Sequence, residues 1–247
     1  MNNKDKTRLV GNLEVLREEL RSKVKEGKKE GLMRFFKTGK GEYGEGDKFL
    51  GVMVPQTREL VKRYKILLGW QEVDSLVNSE YHEERLLGLL ILVEWYKAGG
   101  EKEKKKVFEY YLENYRQVNN WDLVDLTAPN IVGDYLDIAE KRGEVIKLVK
   151  SDSLWKKRIG VLSCAAFIKR GSCEEIFQVA DILMKDNHDL IQKAVGWMLR
   201  ESGKKCGEEK LELFLRERYK VMPRTMLRYS IERFSDEKRK KYLGGNW

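Results

Sequence analysis

The sequence predicts an all-α protein, and three observations carry that prediction. The 247 residues contain three prolines, Pro55, Pro129 and Pro223, set far apart. Proline is expelled from helix interiors, so the long proline-free stretches are open to helix. Those stretches are rich in Leu, Glu, Lys and Arg, the good helix formers. Apolar residues also recur at helical spacing, beginning with Leu9, Leu13, Leu16 and Leu20 in the first segment.

Taken in order, the first segment is followed by the one long stretch expected not to be helical, the Gly-rich loop near 37–48, with glycines at 39, 41, 44 and 46. Gly39-Lys40-Gly41 invites comparison with a phosphate cradle, but the Walker A spacing is missing and no strand precedes it. A plain connector is favoured over a basic loop that approaches a phosphate. Helices are then expected near 53–67, 103–116, 121–139, 143–150, 154–169, 174–185, 188–202, 208–219 and 223–233. Between the first two of these, Leu86, Leu87, Leu90, Leu92 and Val93 make a largely apolar helix ending at Trp95-Tyr96, with Gly99-Gly100 as its stop.

Composition narrows the partners. Lys and Arg number 49 against 40 Asp and Glu, a formal charge of +9. Such an excess suits a polyanion if it gathers on one face. Runs such as Lys102-Glu103-Lys104-Lys105-Lys106 and Lys238-Arg239-Lys240-Lys241 read more simply as solvated helix surface. Cys164, Cys173 and Cys206 show no short paired spacing, which fits reduced thiols in a cytosolic protein. His82 and His188 are the only histidines, and neither has a partner three or four residues away. No metal or cofactor is therefore expected, nor a Ser-His-Asp centre. The start, Met1-Asn2-Asn3-Lys4-Asp5-Lys6, is not an apolar leader, and no stretch approaches the roughly 20 apolar residues of a membrane span. These features place the protein in the cytoplasm, and a monomer with a single domain over 1–247 is expected.

Internal similarity refines the architecture. Arg85-Leu86-Leu87-Gly88, Arg158-Ile159-Gly160-Val161 and Lys193-Ala194-Val195-Gly196 each set a cation shortly before a glycine in an apolar helix. Arg158 and Lys193 lie 35 residues apart, and Arg85 lies 73 before Arg158. A two-helix repeat of about 35–45 residues is the signature of HEAT-like solenoids. The expected fold is thus a right-handed superhelical stack of helix pairs with a concave basic face, along which Arg85, Arg158 and Lys193 would form a stripe. An ordinary helical bundle is the alternative.

The segment Asn120-Trp121-Asp122-Leu123-Val124-Asp125 carries the most chemistry. Positions four apart share a helix face, so Trp121 and Asp125 would present a ring and a carboxylate together, suited to a cation. The plain reading stays open beside it: Asn120 or Asp122 as a helix cap, Trp121 as core, Asp125 as the partner of a surface lysine. Two later segments interleave rings with cations. Trp155 precedes Arg158, and Trp197 stands between Lys193 and Arg200. Rings among cations are the chemistry of a nucleic-acid surface, although Trp155 is expected to serve the core.

These motifs resemble, in order and spacing, the bacterial alkylpurine DNA glycosylase D (AlkD) family of HEAT-like-repeat repair enzymes. The resemblance runs through Trp121–Asp125, Gly133-Asp134, Ser151–Arg158 and Ile191–Glu201, with Phe49–Arg58 similar to the family's N-terminal motif, and spans about residues 30 to 235. It implies hydrolysis of the N-glycosidic bond of cationic N3- or N7-alkylated purines in double-stranded DNA. It also implies roles: Asp125 as the catalytic carboxylate, Trp121 and Trp197 as rings against the deoxyribose, and Arg158 as a phosphate-binding residue near the lesion. Lys193 and Arg200, on the matching helix, and Arg58, closing the N-terminal motif, are inferred to bind DNA. The Gly-rich stretch is longer than in the best-characterised members. A non-catalytic HEAT-repeat DNA-binding protein of the same fold is the alternative, and a protein-interaction scaffold the third.

Overall fold

The computed structural model describes residues 3–138 and 140–245. Met1, Asn2, Ala139, Asn246 and Trp247 lie outside it, as do the side chains of residues 3–11, Leu9 among them. The described chain is helical, with one isolated bridge between Lys48 and Tyr81. It divides into two compact units, 1–123 and 124–247.

The first unit holds α1 (Asn3–Ser22), α2 (Lys28–Phe35), α3 (Val54–Tyr64), α4 (Trp70–Val77), α5 (His82–Ala98), α6 (Glu101–Glu113) and the start of α7 (Trp121–Ala128). Every residue of α5 from Leu86 to Val93 is buried, because that stretch is apolar on all sides and has no face to offer water. It packs against α3, α4 and α6. Pro55 sits in the first turn of α3, where no N–H is required. The long irregular stretch follows α2 as expected.

Four consecutive side chains open α5, and all four are buried and charged or polar. Glu83 accepts from the backbone amides of Leu50, Gly51 and Val52 at 2.9, 2.8 and 3.1 Å. Glu84 pairs with Arg17 and Arg21 of α1. Arg85 donates to Asp47, Asn119 and the carbonyls of Ser79 and Gln117. This corrects the expected cationic stripe: with 3% of its surface exposed and its guanidinium occupied, Arg85 is not presented to a phosphate. A buried guanidinium has to be fully paired, and the Gly-rich loop (Asp47), the residues before α5 (Ser79) and those before α7 (Gln117, Asn119) supply the partners.

The second unit continues α7 and adds α8 (Asp134–Ile138), α9 (Val145–Val149), α10 (Leu154–Lys169), α11 (Glu174–Ile182), α12 (Asp189–Cys206), α13 (Glu208–Arg216), α14 (Arg224–Ser230) and α15 (Asp236–Gly244). The helix expected over 121–139 is one run with a defect. Pro129 cannot supply the N–H that an α-helix aims at the carbonyl four residues back, that of Asp125. The chain widens there into a π-helical segment, Pro129–Gly133, before α8 resumes. α10 packs on this segment and on α8, α9, α11 and α12, and α12 packs in turn on α11, α13 and α14.

Two of the three glycines of the internal repeat, Gly88 and Gly160, have a common cause, while Gly196 lies against Met226 and Tyr229 of α14. A Cβ on Gly88 would stand 2.9 Å from Val77 Cγ2 and 3.0 Å from Leu76 Cβ. A Cβ on Gly160 would stand 2.8 Å from Val149 Cγ1 and 3.0 Å from Leu148 Cβ. In each unit, then, a glycine lets an inner helix close on a Leu-Val pair at the end of the preceding one.

The cysteines depart from expectation. Cys173 and Cys206 form a disulfide across 33 residues, joining the residue before α11 to the end of α12, and Cys164 is a free buried thiol. A pairing of ends across two helices leaves no short motif, so the spacing rule could not see it. Burial pushes the Cys164 thiol up from its ordinary range, which makes it inert. Closing a loop of this length is worth about 3–4 kcal/mol in the chain-entropy picture. Reduction is expected to lower the unfolding midpoint accordingly, and thiol titration in denaturant without reductant should count one thiol. A count of three would show the bond to be absent.

Candidate active site

The second unit builds its polar centre from α7, α10 and α12. Asp125, on the second turn of α7, receives both arms of Arg158 from α10: Nε to Oδ1 at 2.9 Å and Nη2 to Oδ2 at 2.8 Å. Nη1 of the same guanidinium donates to the carbonyl of Leu190 at the start of α12, at 2.6 Å. The Arg158 side chain is 5% exposed and that of Asp125 13%. A bidentate fork of this kind fixes the orientation of the carboxylate. Of the roles considered for Asp125, pairing with a surface lysine is replaced by pairing with a buried arginine.

The other expected residues are placed within their own units. Trp197 is half-buried on α12, the helix whose first turn Arg158 touches. Lys193 is also half-buried on α12 and pairs with Asp189 at 2.6 Å. Arg200 binds Glu201 at 3.0 Å and also Glu232. Trp155, expected in the core, is half-buried. Arg58 is exposed on α3 of the first unit. The structure brings Asp125 and Arg158 together directly; Lys193 and Arg200 each hold an acidic partner.

Trp121 begins α7, four residues before Asp125. Within the first unit its half-buried indole stacks on Phe36 at 5.1 Å between centroids and meets Phe35 edge-on at 5.5 Å. Phe36 stacks in turn on Phe49 at 5.0 Å, and Phe49 on the His82 ring at 4.3 Å. The core reading of Trp121 thus holds for one face of the ring. Asn120 Oδ1 accepts from the Trp121 N–H, the first amide of α7, at 2.8 Å.

His82 is the residue the sequence did not disclose. Its Nδ1 lies 2.9 Å from Asp47 Oδ2 and its Nε2 2.9 Å from Asp122 Oδ2. With an ionised carboxylate beside each nitrogen, the ring satisfies both acceptors by donating from both, which favours the imidazolium. Burial alone would lower its pKa, but the Asp122 charge and the hydrogen bonds to both carboxylates outweigh it and raise the value from 6.5 to about 9. For Asp47, burial pushes upward, and hydrogen bonding to His82 with the charge of Arg85 prevails, leaving it below the usual carboxylate range. His82 therefore contributes stability in full below its unfolded value near 6.5, and loses it as pH rises through about 9. Nothing in the local sequence marks this, because Asp47 and Asp122 stand 35 and 40 residues from His82. His188 serves the backbone locally, its Nδ1 accepting from the Leu190 N–H at 3.2 Å, and burial keeps it below its ordinary pKa.

No helix among the described residues is long and apolar enough to cross a membrane. No curated protein sequence matches the chain significantly. A solved structure described as a predicted DNA alkylation repair enzyme from Enterococcus faecalis superposes with a TM-score of 0.66 at 13% identity. The match covers 87% of this chain and 98% of that one, and establishes a shared fold. The family model for DNA alkylation repair enzymes matches residues 16–234. With that match spanning α7, α10 and α12 and all of the residues considered above, the chain belongs to the DNA alkylation repair enzyme family.

Proposed function

We propose that the protein is a DNA glycosylase that hydrolyses the N-glycosidic bond of cationic N3- or N7-alkylated purines in double-stranded DNA, with Asp125 as its catalytic carboxylate. The observation that carries this reading is the forked Arg158–Asp125 pair, a carboxylate held in one orientation by two hydrogen bonds yet retaining some exposure.

An alkylated purine of this class already bears a positive charge, so the C1′–N9 bond can break without a general acid. The bonding pair leaves with the base and neutralises it. Positive charge then develops on the sugar, where a fixed carboxylate is worth most because it needs no reorganisation. Water adds to C1′ to form the new C1′–OH, and its proton passes to Asp125 and on to solvent. Trp121 and Trp197 supply ring faces, which favour a cationic sugar. Arg158 orients the carboxylate, and the family's phosphate contact would draw on what remains of its donors. Lys193, Arg200 and Arg58 would meet the backbone, Lys193 and Arg200 by exchanging an acidic partner for a phosphate. This chemistry asks for no metal or cofactor. A HEAT-like solenoid, acting as a cytoplasmic monomer, is the architecture we assign to it.

The test is release of free N7-methylguanine from a duplex carrying that lesion. Release well above the uncatalysed background supports the reading. Salt-sensitive duplex binding without release would instead make the protein a non-catalytic DNA binder.

A further inference from the structure

The Gly-rich loop, the first turn of α5 and the first turn of α7 meet at one buried ring. His82 is 2% exposed and clamped by Asp47 from the loop and Asp122 from α7. Asp122 is the residue after Trp121, and its other oxygen accepts from the Leu123 N–H at 2.8 Å, so the carboxylate is tied both to the ring and to the backbone that carries the indole. On its flat side the ring lies 4.3 Å from Phe49 and 5.1 Å from Phe36, and Phe36 is the ring on which Trp121 stacks. Two connections, one polar and one aromatic, thus run from one imidazolium to one tryptophan.

We propose that His82 is a positioning residue for Trp121, holding the indole in the half-exposed pose in which it meets the deoxyribose. The proposal rests on the glycosylase reading for its last clause only. The charges around the ring balance in its favour. Asp47 and Asp122 bring two negative charges, while Arg85, on Asp47 at 2.6 Å, brings one positive charge. Only a protonated His82 makes this buried group neutral. Glu83 and Glu84, its neighbours in the chain, are turned to the amides of residues 50–52 and to Arg17 and Arg21. Loss of the proton leaves a buried negative charge between loop and helix and removes the cation beneath the aromatic column, where ring faces attract it.

The experiment labels the six tryptophans with 5-fluorotryptophan and follows them by fluorine NMR in the full-length protein, with Trp121→Phe identifying the Trp121 resonance. In the wild type that resonance should shift with one inflection near pH 9. The inflection should vanish in His82→Gln and move to lower pH in Asp122→Asn, which keeps the shape and removes the charge. In single-turnover excision of N7-methylguanine, His82→Gln should slow release by on the order of 10- to 100-fold, while duplex affinity stays within about threefold of the wild type, as expected of a change that leaves phosphate contacts intact. A wild-type Trp121 resonance that does not move over this range, or one that moves equally in His82→Gln, overturns the proposal. The wild-type titration needs no variant, so a His82→Gln that fails to fold does not protect it. If no protein releases base and the Trp121 resonance still follows His82, the glycosylase reading falls and the positioning stands.

Discussion

Asp125→Asn is expected to slow release of N7-methylguanine from duplex DNA by about 100-fold or more, the loss typical when a preorganised electrostatic partner is removed from a transition state. Asparagine has the volume of aspartate, so packing is preserved while the charge facing the sugar disappears. The effect should fall on the chemical step, because the developing cation exists only there. Arg158 sharpens the experiment. Its Nε and Nη2 both donate to Asp125, and an amide offers them one acceptor where the carboxylate offered two. A modest drop in melting temperature should therefore accompany Asp125→Asn, and duplex affinity should hold or rise as a negative charge leaves. Near wild-type release with intact folding would remove Asp125 from the mechanism. Arg158→Ala should also depress release, through a carboxylate left without its fork.

The largest effect on stability is expected from Glu83→Ala. One carboxylate satisfies three backbone donors, those of Leu50, Gly51 and Val52. Deleting it strands amides in a buried segment, at about 1–3 kcal/mol each. Allowing for water reaching the part-buried amide of Leu50, the total is about 3–5 kcal/mol, or a fall of roughly 6–20 °C for a protein of this size. Glu83→Gln keeps one acceptor oxygen and should lie between the two. The measurement is thermal or urea unfolding, and a loss below about 1 kcal/mol would show that the segment finds other partners.

Much of the fold was legible because it is written in local chemistry. The apolar stretch of α5, the cap at Ser153 and the proline in the first turn of α3 act over a few residues. The elements that escaped are those with little apolar pattern to read: none of the residues of α2 is buried, and α15 buries Tyr242 alone among its described residues. α4 escaped for another cause: it is short, and it follows α3 after few residues. The site divides the same way. Trp121 and Asp125 could be paired by helical spacing, and the resemblance pointed to Arg158. The fork onto Asp125 and the Arg85–Asp47 pair could not be read, since each joins residues more than 30 apart. A lone histidine with no neighbour in sequence offered no reason to expect two carboxylates closing on it from separate segments. The disulfide was hidden for the same reason.

The π segment after α7 also counts residues. An α-helix turns about 100° per residue, so a helix that accommodates one extra residue in a wide turn carries everything after it at a different phase. Gly133, at the end of that turn, lies against the Ser163 carbonyl so closely that a methyl group would collide with it. Asp125, before the turn, meets Arg158 at an earlier point on that same α10. Both contacts are kept in phase by the number of residues between them. Single-residue deletions within 129–132 should thus be far less tolerated than substitutions there, because a deletion would rotate one contact away from α10 whenever the other is made.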